Sequence, residues 1–168
     1  RRVDVDEARR DVALLRERMP GIRVEVLTPD FRGRVERALA ALSQAWPDVF
    51  NHNLETVPSL YRAARAGADY RGSLQLLARV KEANASVLTK SGLMVGLGEA
   101  DDELLDTMRD LRAHHVDILT LGQYLAPSRF HMPVRRYATP EQFAAWREAG
   151  LQMGFREVVA GPLVRSSY

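Results

Sequence analysis

The sequence predicts an α/β fold built around a parallel sheet. Its apolar residues switch repeatedly between the two-residue period of a strand and the 3.6-residue period of a helix. Strand-like segments occur five times, with helical segments between them and without an Asn-Gly or similar hairpin signal. The 168 residues, 46% of them hydrophobic and 27% charged, suit one compact domain. We therefore expect residues 1–168 to form a single α/β domain.

Prolines separate the first predicted elements. Pro20 ends a helix over residues 7–18, and residues 22–27 (IRVEVL) then alternate like a short strand. Apolar residues spaced four, three and four predict a helix over 35–46, which a second proline ends. Residues 48–53 (DVFNHN) follow as the next strand.

The rest of the chain continues the alternation. Three consecutive acidic residues favour a helix start at 101, and a Thr-Pro-Glu-Gln capping box favours another at 139. The predicted elements are helices at about 57–65 and 72–83, a strand over 87–95, a helix over 101–111, a strand over 118–121, a helix over 139–153 and a strand over 155–159.

Five or six βα units fit either an open, doubly wound sheet or part of a (β/α) barrel, and periodicity does not choose between them. In both architectures, ligands bind where the strands end at their carboxyl edge. Polar clusters follow several predicted strands, at Asn51–Thr56, Gly96–Glu99, Gln123–Leu125 and Arg165–Tyr168. These four clusters are the candidate binding segments.

The cluster NHNLET allows two interpretations. Asn51 and Asn53 share one face of a strand, and Glu55 joins them if the strand continues, so amides and a carboxylate could bind a ribose or an amino-acid ligand. Alternatively, these residues only form a turn, with Thr56 capping the next helix. His52 would face the other way, where a structural role is the more common one.

The segment TKSGLMVGLGE also has two interpretations. Gly92, Gly96 and Gly98 interrupt a strand, which favours close approach of a flat ligand such as a purine to the backbone. A turn that needs left-handed residues would explain the same glycines. Lys90 could contact an anion or lie in solvent.

Composition and motif searches exclude several function classes. The formal charge of +2 is too balanced for a dedicated nucleic-acid binder, and no apolar run approaches the roughly 18 residues of a membrane span. The four histidines show no metal-binding spacing, and no Gly-x-Ser-x-Gly motif is present. The sequence has no cysteine, so this chain supplies no thiolate for an iron–sulfur or zinc site.

The clusters together resemble one known family. The segments VLTPDF, DVFNHNLETVP, RAGADYRGSLQLL, TKSGLMVGLGE, LTLGQYLAPSRFHMPV and GPLVRSSY are similar, in this order, to the lipoyl synthases, which are radical S-adenosylmethionine (SAM) enzymes. The resemblance runs from about Asp6 to Tyr168. It implies a partial (β/α)6 barrel of the TIM-like, radical SAM type, with the first strands preceding this chain.

The family's activity is the insertion of two sulfur atoms, at C6 and C8, into an octanoyl chain on a carrier-protein lysine. It uses SAM and two [4Fe–4S] clusters, one of which cleaves SAM while the other donates sulfur. The implied partners are octanoylated lipoyl carrier domains, namely 2-oxoacid dehydrogenase E2 subunits and the glycine cleavage H protein, and an electron donor such as ferredoxin or flavodoxin. The resemblance implies a cytoplasmic enzyme without nucleic-acid or membrane partners.

The resemblance also implies roles for particular residues. Asn53 and Glu55 would contact the ribose and methionine portions of SAM, and the strand from Gly92, with Gly96 and Glu99, would lie against adenine. The remaining assignments are Lys90 and Ser91 near the SAM carboxylate, Gln123, Tyr124 and Leu125 in the adenosine pocket, Ser167 as an oxygen ligand of the auxiliary cluster, and Arg165 beside it as the candidate catalytic residue.

The missing cysteines are the main departure from the family pattern. The motifs CxxxCxxC and CxxxxCxxxxxC would lie upstream of Arg1, so we expect this chain to be the C-terminal two-thirds of the enzyme and inactive alone. Two alternatives stay open at this point. One is a cysteine-free, non-catalytic SAM-binding remnant, and the other is an unrelated α/β-barrel enzyme.

Overall fold

The computed structural model describes residues 5–165, which form one parallel sheet and the helices that connect its strands. In chain order the elements are α1 (Val5–Arg18), β1 (Glu25–Leu27), α2 (Val35–Leu42), β2 (Val49–Asn51), a 3₁₀ turn (Pro58–Leu60), α3 (Tyr61–Ala64), α4 (Tyr70–Ala83), β3 (Leu88–Val95), α5 (Asp101–Ala113), β4 (Ile118–Gln123), α6 (Pro140–Gln152) and β5 (Glu157–Gly161). Each predicted element is present. The predicted helix over 57–65 is only a 3₁₀ turn followed by a single helical turn.

The strand order decides between the two predicted architectures. The strands of the described chain lie in the order β1-β2-β3-β4-β5, and all adjacent pairs are parallel. A doubly wound sheet reverses its order at one point, which places helices on both faces. Here every crossover advances in the same direction, so right-handed connections put the helices on one face and leave the other face to line a barrel interior. The structure therefore confirms an α/β fold of the partial-barrel type.

The helix-facing side of the sheet carries the apolar core. Leu93, Val95, Leu119, Leu121 and Val158 alternate along β3, β4 and β5, and each is at most 3% exposed. They pack with apolar residues of the helices in one continuous cluster. Burying such side chains contributes about 1.5–3 kcal/mol each, so this layer fixes the position of the strands.

The opposite, interior face is largely polar or bare. Lys90, Gly92 and Met94 alternate along β3, and Thr120 and Gly122 lie beside them on β4, where the register pairs Gly92 with Thr120 and Met94 with Gly122. Small and polar residues on this face leave space that a packed barrel core would fill.

Two helix ends agree with the sequence. Thr139 forms the predicted capping box with Gln142 at the start of α6, and Gly154 lies just beyond its end with φ of 93°. Asp69 caps α4 by accepting a hydrogen bond from the Arg71 amide. Between residues 5 and 165, no helix is both long and apolar enough to cross a bilayer.

Candidate functional site

Two neighbouring cavities open at the carboxyl edge of the sheet. The smaller, of about 140 Å³, lies between β3, β4 and the C-terminal segment; its lining residues include Glu55, Gly92, Thr120, Gly122, Leu125 and Arg165. The wider, of about 900 Å³, lies beyond β1 and β2; its lining residues include Thr28, Phe31, Asn53, Glu55 and Arg65. Glu55 borders both cavities, so the NHNLET segment separates them.

The backbone around Glu55 explains how it reaches this position. Strand β2 ends at Asn51, but Glu55 forms an isolated bridge to Leu93, with its amide donating to the Gly92 carbonyl at 2.9 Å and its carbonyl accepting from Met94 at 2.8 Å. Its φ of 69° is in the left-handed region, which costs a non-glycine residue energy. The chain therefore leaves the sheet and returns to it for one residue, which places Glu55 at the wall of both cavities.

The environment of Glu55 favours its protonated form. Burial raises the pKa of the Glu55 carboxyl above its usual value, and a hydrogen bond from the Asn53 side chain and the nearby Arg65 charge only partly oppose this. Asn53 and Glu55 thus meet at one wall, but not through a continuing strand: β2 ends at Asn51, and the Asn51 side chain instead donates to Glu25. The helix-capping alternative for Thr56 is wrong, because Val57 precedes the 3₁₀ turn without a side-chain cap and the Thr56 hydroxyl is buried without a partner among the described residues.

Arg65 holds this segment in place, and no sequence pattern indicated this role. Its guanidinium Nη1 donates to the carbonyls of Asn53 (3.1 Å) and Leu54 (3.3 Å), and the Tyr61 hydroxyl donates to the same Leu54 carbonyl at 2.9 Å. An isolated arginine in a polar stretch has no distinctive pattern. Only its return to the strand end in three dimensions identifies it.

His52 has a structural role, as expected, although it borders the wider cavity together with Asn53 and Glu55 rather than facing away from them. It is 1% exposed, and its ring nitrogens lie 2.9 Å from the Thr28 carbonyl (Nδ1) and 2.9 Å from the Ser73 hydroxyl (Nε2). The ring therefore connects the loop after β1 with α4. Desolvation lowers the pKa of His52 below its ordinary value.

This lowered pKa predicts an acid-sensitive contribution to stability. The unfolded chain takes up a proton on His52 near pH 6.5 while the folded chain resists it, so the contribution is complete above that pH and is lost as the pH falls. We expect the urea midpoint of the chain to drop more between pH 7.5 and pH 5.5 than that of His52→Gln. An identical drop in both proteins would contradict this.

The C-terminal segment packs directly on β4. A Cβ atom on Gly122 would overlap the Val164 carbonyl oxygen, whereas one on Gly161 would lie 3.5 Å from Val164 Cγ2, an ordinary contact. Arg165 follows at the rim of the smaller cavity, where its Nη1 donates to the Val164 carbonyl at 2.8 Å. Gly122 is therefore the point at which the strand admits the backbone of this segment. Ser167 lies outside the described residues.

Lys90 and Ser91 do not line the two cavities described above. The Lys90 ammonium donates to both carboxylate oxygens of Glu25, at 2.8 and 3.0 Å, and Asn51 donates to the same carboxylate at 2.8 Å. Ser91 faces the helices, and its hydroxyl accepts from the Leu54 amide at 3.1 Å. Lys90 lies two residues before Gly92 on the interior face of the sheet, where its pair with Glu25 fills the space between β1 and β3. Ser91 positions the NHNLET segment.

Glu99 is turned onto its own loop. Its carboxylate accepts from the amides of Gly96 (2.7 Å), Leu97 (2.9 Å) and Gly98 (3.1 Å), and its side chain is fully buried. The Arg136 guanidinium pairs with it at 3.1 Å and with the exposed Asp101. The φ values of Gly96 (103°) and Gly98 (118°) confirm the turn interpretation for these two glycines, and the approach of a flat ligand to this segment stays a prediction.

Gln123 and Tyr124 secure the loop after β4. The Gln123 amide donates to the carbonyls of Tyr124 and Arg136, each at 3.0 Å, and accepts from the Ala138 amide at 2.9 Å. The Tyr124 hydroxyl donates to the Met132 carbonyl at 2.9 Å. Leu125 is 49% exposed and borders the smaller cavity. Of these three residues, Leu125 has the side chain most available to a ligand.

The donor set fits a polar organic ligand better than a metal. In residues 5–165, no group of three His, Cys, Asp or Glu side chains is arranged to hold a metal ion. The cavity walls instead combine carboxyls, amides, hydroxyls and guanidinium groups with the backbone of Gly92, which suits hydrogen bonding to the polar groups of an organic ligand.

Comparison with solved structures supports the fold. The crystal structure of methylornithine synthase (PylB) superimposes with a TM-score of 0.66 at 13% sequence identity, covering 93% of this chain and 52% of that one. An identity this low shows a shared architecture only. It agrees with the barrel-type strand order.

Curated relatives are much closer in sequence. Lipoyl synthase of Thiobacillus denitrificans is 62% identical over 157 residues (94% of this chain), that of Syntrophotalea carbinolica 62% over 154 residues (92%), and that of Klebsiella pneumoniae 58% over 157 residues (94%). The chain spans about half the length of these relatives, not the expected two-thirds. The resemblance to lipoyl synthases is confirmed. The family model described as Radical SAM superfamily matches residues 3–111, and the chain belongs to that superfamily.

Proposed function

We propose that this chain is the part of a lipoyl synthase that binds the nucleoside portion of SAM and faces the octanoyl substrate. The observation that carries the proposal is the 57–62% identity to lipoyl synthases over more than nine-tenths of the chain. The whole enzyme would insert sulfur at C6 and C8 of an octanoyl-lysine. Residues 1–168 would form one structural unit within it.

The smaller cavity fits the nucleoside part of SAM. Gly92 leaves the interior face without a side chain at this level, while Glu55 and Asn53 supply hydrogen-bonding groups at the adjoining wall. When bound and reduced by one electron from the cluster held by the rest of the enzyme, SAM would release methionine and supply the 5′-deoxyadenosyl group that abstracts hydrogen from carbon. In our proposal, Asn53 and Glu55 hold the ribose and methionine portions.

The other implied residues take direct or supporting roles in this proposal. Leu125 contacts the adenosine, and the backbone from Gly92 to Gly96 lies against adenine. The side chains with internal partners act by positioning, and they are Lys90, Ser91, Glu99, Gln123 and Tyr124.

The residues of this chain do not fit a [4Fe–4S] cluster, because the sequence has no cysteine. Thiolate ligands for both proposed clusters would come from the rest of the whole protein. Ser167 would provide an oxygen ligand to the auxiliary cluster, with the candidate catalytic residue Arg165 beside it.

The proposal extends to partners and location. Octanoylated carrier domains (E2 subunits and the glycine cleavage H protein) would be the substrates, and ferredoxin or flavodoxin the reductant. A cytoplasmic location follows from the reduced thiolates that the clusters need.

Replacing Glu55 tests the binding half of the proposal. Because the folded state resists ionisation of this carboxyl, the ionised form destabilises the fold above about pH 4.5. We expect Glu55→Gln to raise the urea midpoint at pH 7, with no gain at pH 4. The same variant should bind 5′-deoxyadenosine about tenfold more weakly, because the hydrogen bond between the Glu55 carboxyl and a ribose hydroxyl is lost.

The exposed Glu82 of α4 provides the matched control, since Glu82→Gln should change neither quantity. Equal 5′-deoxyadenosine affinity for Glu55→Gln and Glu82→Gln, measured by isothermal titration calorimetry, would remove Glu55 from the binding site.

A test of the proposed sulfur insertion requires the protein encoded by the complete natural reading frame. The genomic frame upstream of Arg1 should encode both cysteine motifs, and the protein made from it, reconstituted with iron and sulfide, should convert octanoylated H protein to the lipoylated form by mass spectrometry. Binding of SAM without sulfur insertion would favour the non-catalytic remnant. Neither binding nor insertion would favour an unrelated α/β-barrel enzyme.

A further inference from the structure

We infer that Thr120 on β4 is a ligand-contact residue, whose hydroxyl hydrogen-bonds the nucleoside portion of SAM in the smaller cavity. No sequence motif singled out this residue. The inference rests on the proposed function for the identity of the ligand, but the contact itself is argued from the geometry of the cavity.

The Thr120 hydroxyl is buried without a partner. The residue is 4% exposed, and its Oγ1 makes no hydrogen bond to any described residue. Other buried threonines are satisfied: Thr28 donates to the Asn51 carbonyl at 3.1 Å, Thr89 to the His115 carbonyl at 3.0 Å, and Thr107 to the Glu103 carbonyl at 2.9 Å. A buried hydroxyl without a partner lowers stability, so its presence at a cavity wall points to a partner that arrives with a ligand.

The position of Thr120 in the sheet directs the hydroxyl to the cavity. Leu119 and Leu121 on either side of it are fully buried in the helix-facing core, so alternation puts Thr120 on the interior face. Its neighbour in the register is Gly92, which has no side chain to meet the hydroxyl. Thr56, whose hydroxyl also has no described partner, does not line either cavity.

The chemistry of the wall favours a neutral polar ligand at this point. Glu55 and Arg165 both border this cavity, so its wall carries no single sign of charge that would select an ion next to Thr120. An apolar acyl chain would leave the hydroxyl desolvated and unpaired. A ribose hydroxyl or an adenine nitrogen can exchange hydrogen bonds with it, and the bare glycine surface next to it accommodates a flat ring.

Thr120→Val tests the inference, because valine keeps the shape and removes only the hydroxyl. We expect the Val variant to bind 5′-deoxyadenosine about three- to tenfold more weakly by calorimetry, the loss of one net hydrogen bond. Its Tm should be equal to or higher than that of the unsubstituted chain, since a structural hydroxyl would instead lower it. Thr120→Ser, which keeps the hydroxyl, should retain affinity.

Unchanged affinity in the Val variant, or equal loss in the Ser and Val variants, would overturn the contact. A lowered Tm in the Val variant would also overturn it by showing a structural hydroxyl. If Glu55→Gln weakens binding as expected while Thr120→Val does not, only this inference fails. If the unsubstituted chain does not bind 5′-deoxyadenosine, the proposed function fails, and the ligand assignment with it.

Discussion

Replacing Gly122 with alanine is expected to detach the C-terminal segment from β4. The new Cβ would overlap the Val164 carbonyl oxygen, and because that atom is backbone, no side-chain rotation can relieve the clash. Overpacking of this kind costs about 1–3 kcal/mol, so the urea midpoint should fall. The Val164 amide, which donates to the Gly161 carbonyl at 3.1 Å, should exchange with solvent deuterium faster.

Gly161→Ala is the matched control for this prediction. It adds the same methyl group opposite the same residue, but at 3.5 Å from Val164 Cγ2, where it makes an ordinary contact. We expect its urea midpoint and the exchange of the Val164 amide to stay close to those of the unsubstituted chain. Equal effects of the two alanines would mean that Val164 does not rest on β4.

Glu99→Gln should produce the second large effect. The carboxylate accepts three backbone hydrogen bonds and pairs with Arg136 while fully buried. In glutamine one carboxylate oxygen is replaced by an amide nitrogen, which cannot accept a hydrogen bond. At least one amide of the glycine loop (Gly96–Gly98) therefore loses its partner, and Arg136 loses a buried counter-charge. We expect a loss of about 3 kcal/mol in the free energy of unfolding, measured by urea titration.

Asp101→Asn is the matched control, because it removes a carboxylate that pairs with Arg136 but leaves the buried hydrogen bonds of Glu99 in place. Asp101 pairs with the same guanidinium but is half exposed, so its replacement should cost no more than about 1 kcal/mol. A loss as large for Asp101→Asn as for Glu99→Gln would show that the surface ion pair, rather than the glycine-loop amides, explains the role of Glu99.

The sequence predicted the elements well because their signals are local. Prolines and glycines mark the ends of segments, and the capping box at Thr139 is complete within four residues. The barrel type of the sheet was not predictable from the periodicity of apolar residues, since it depends on the direction of each crossover between strands. Only the strand order supplies that information.

The candidate site was predictable to the level of segments but less so to the level of atoms. The resemblance indicated Lys90 and Glu99, yet Lys90 pairs with Glu25, which is 65 residues earlier, and Glu99 is used by its own turn. Arg65 and Thr120 were not identified, because a single arginine or threonine has no pattern of its own. Partners distant in sequence, and a hydroxyl that lacks one, appear only in three dimensions.

The sequential strand order has a consequence for biosynthesis. Each strand pairs with the one made just before it, so a chain emerging from the ribosome can extend the sheet in order, without waiting for a later strand to fill a gap. The contact of Val164 with Gly122 is different, because the segment that follows β5 must first turn back over β4. The wall that Val164 and Arg165 contribute to the smaller cavity would therefore form only after the five strands have paired.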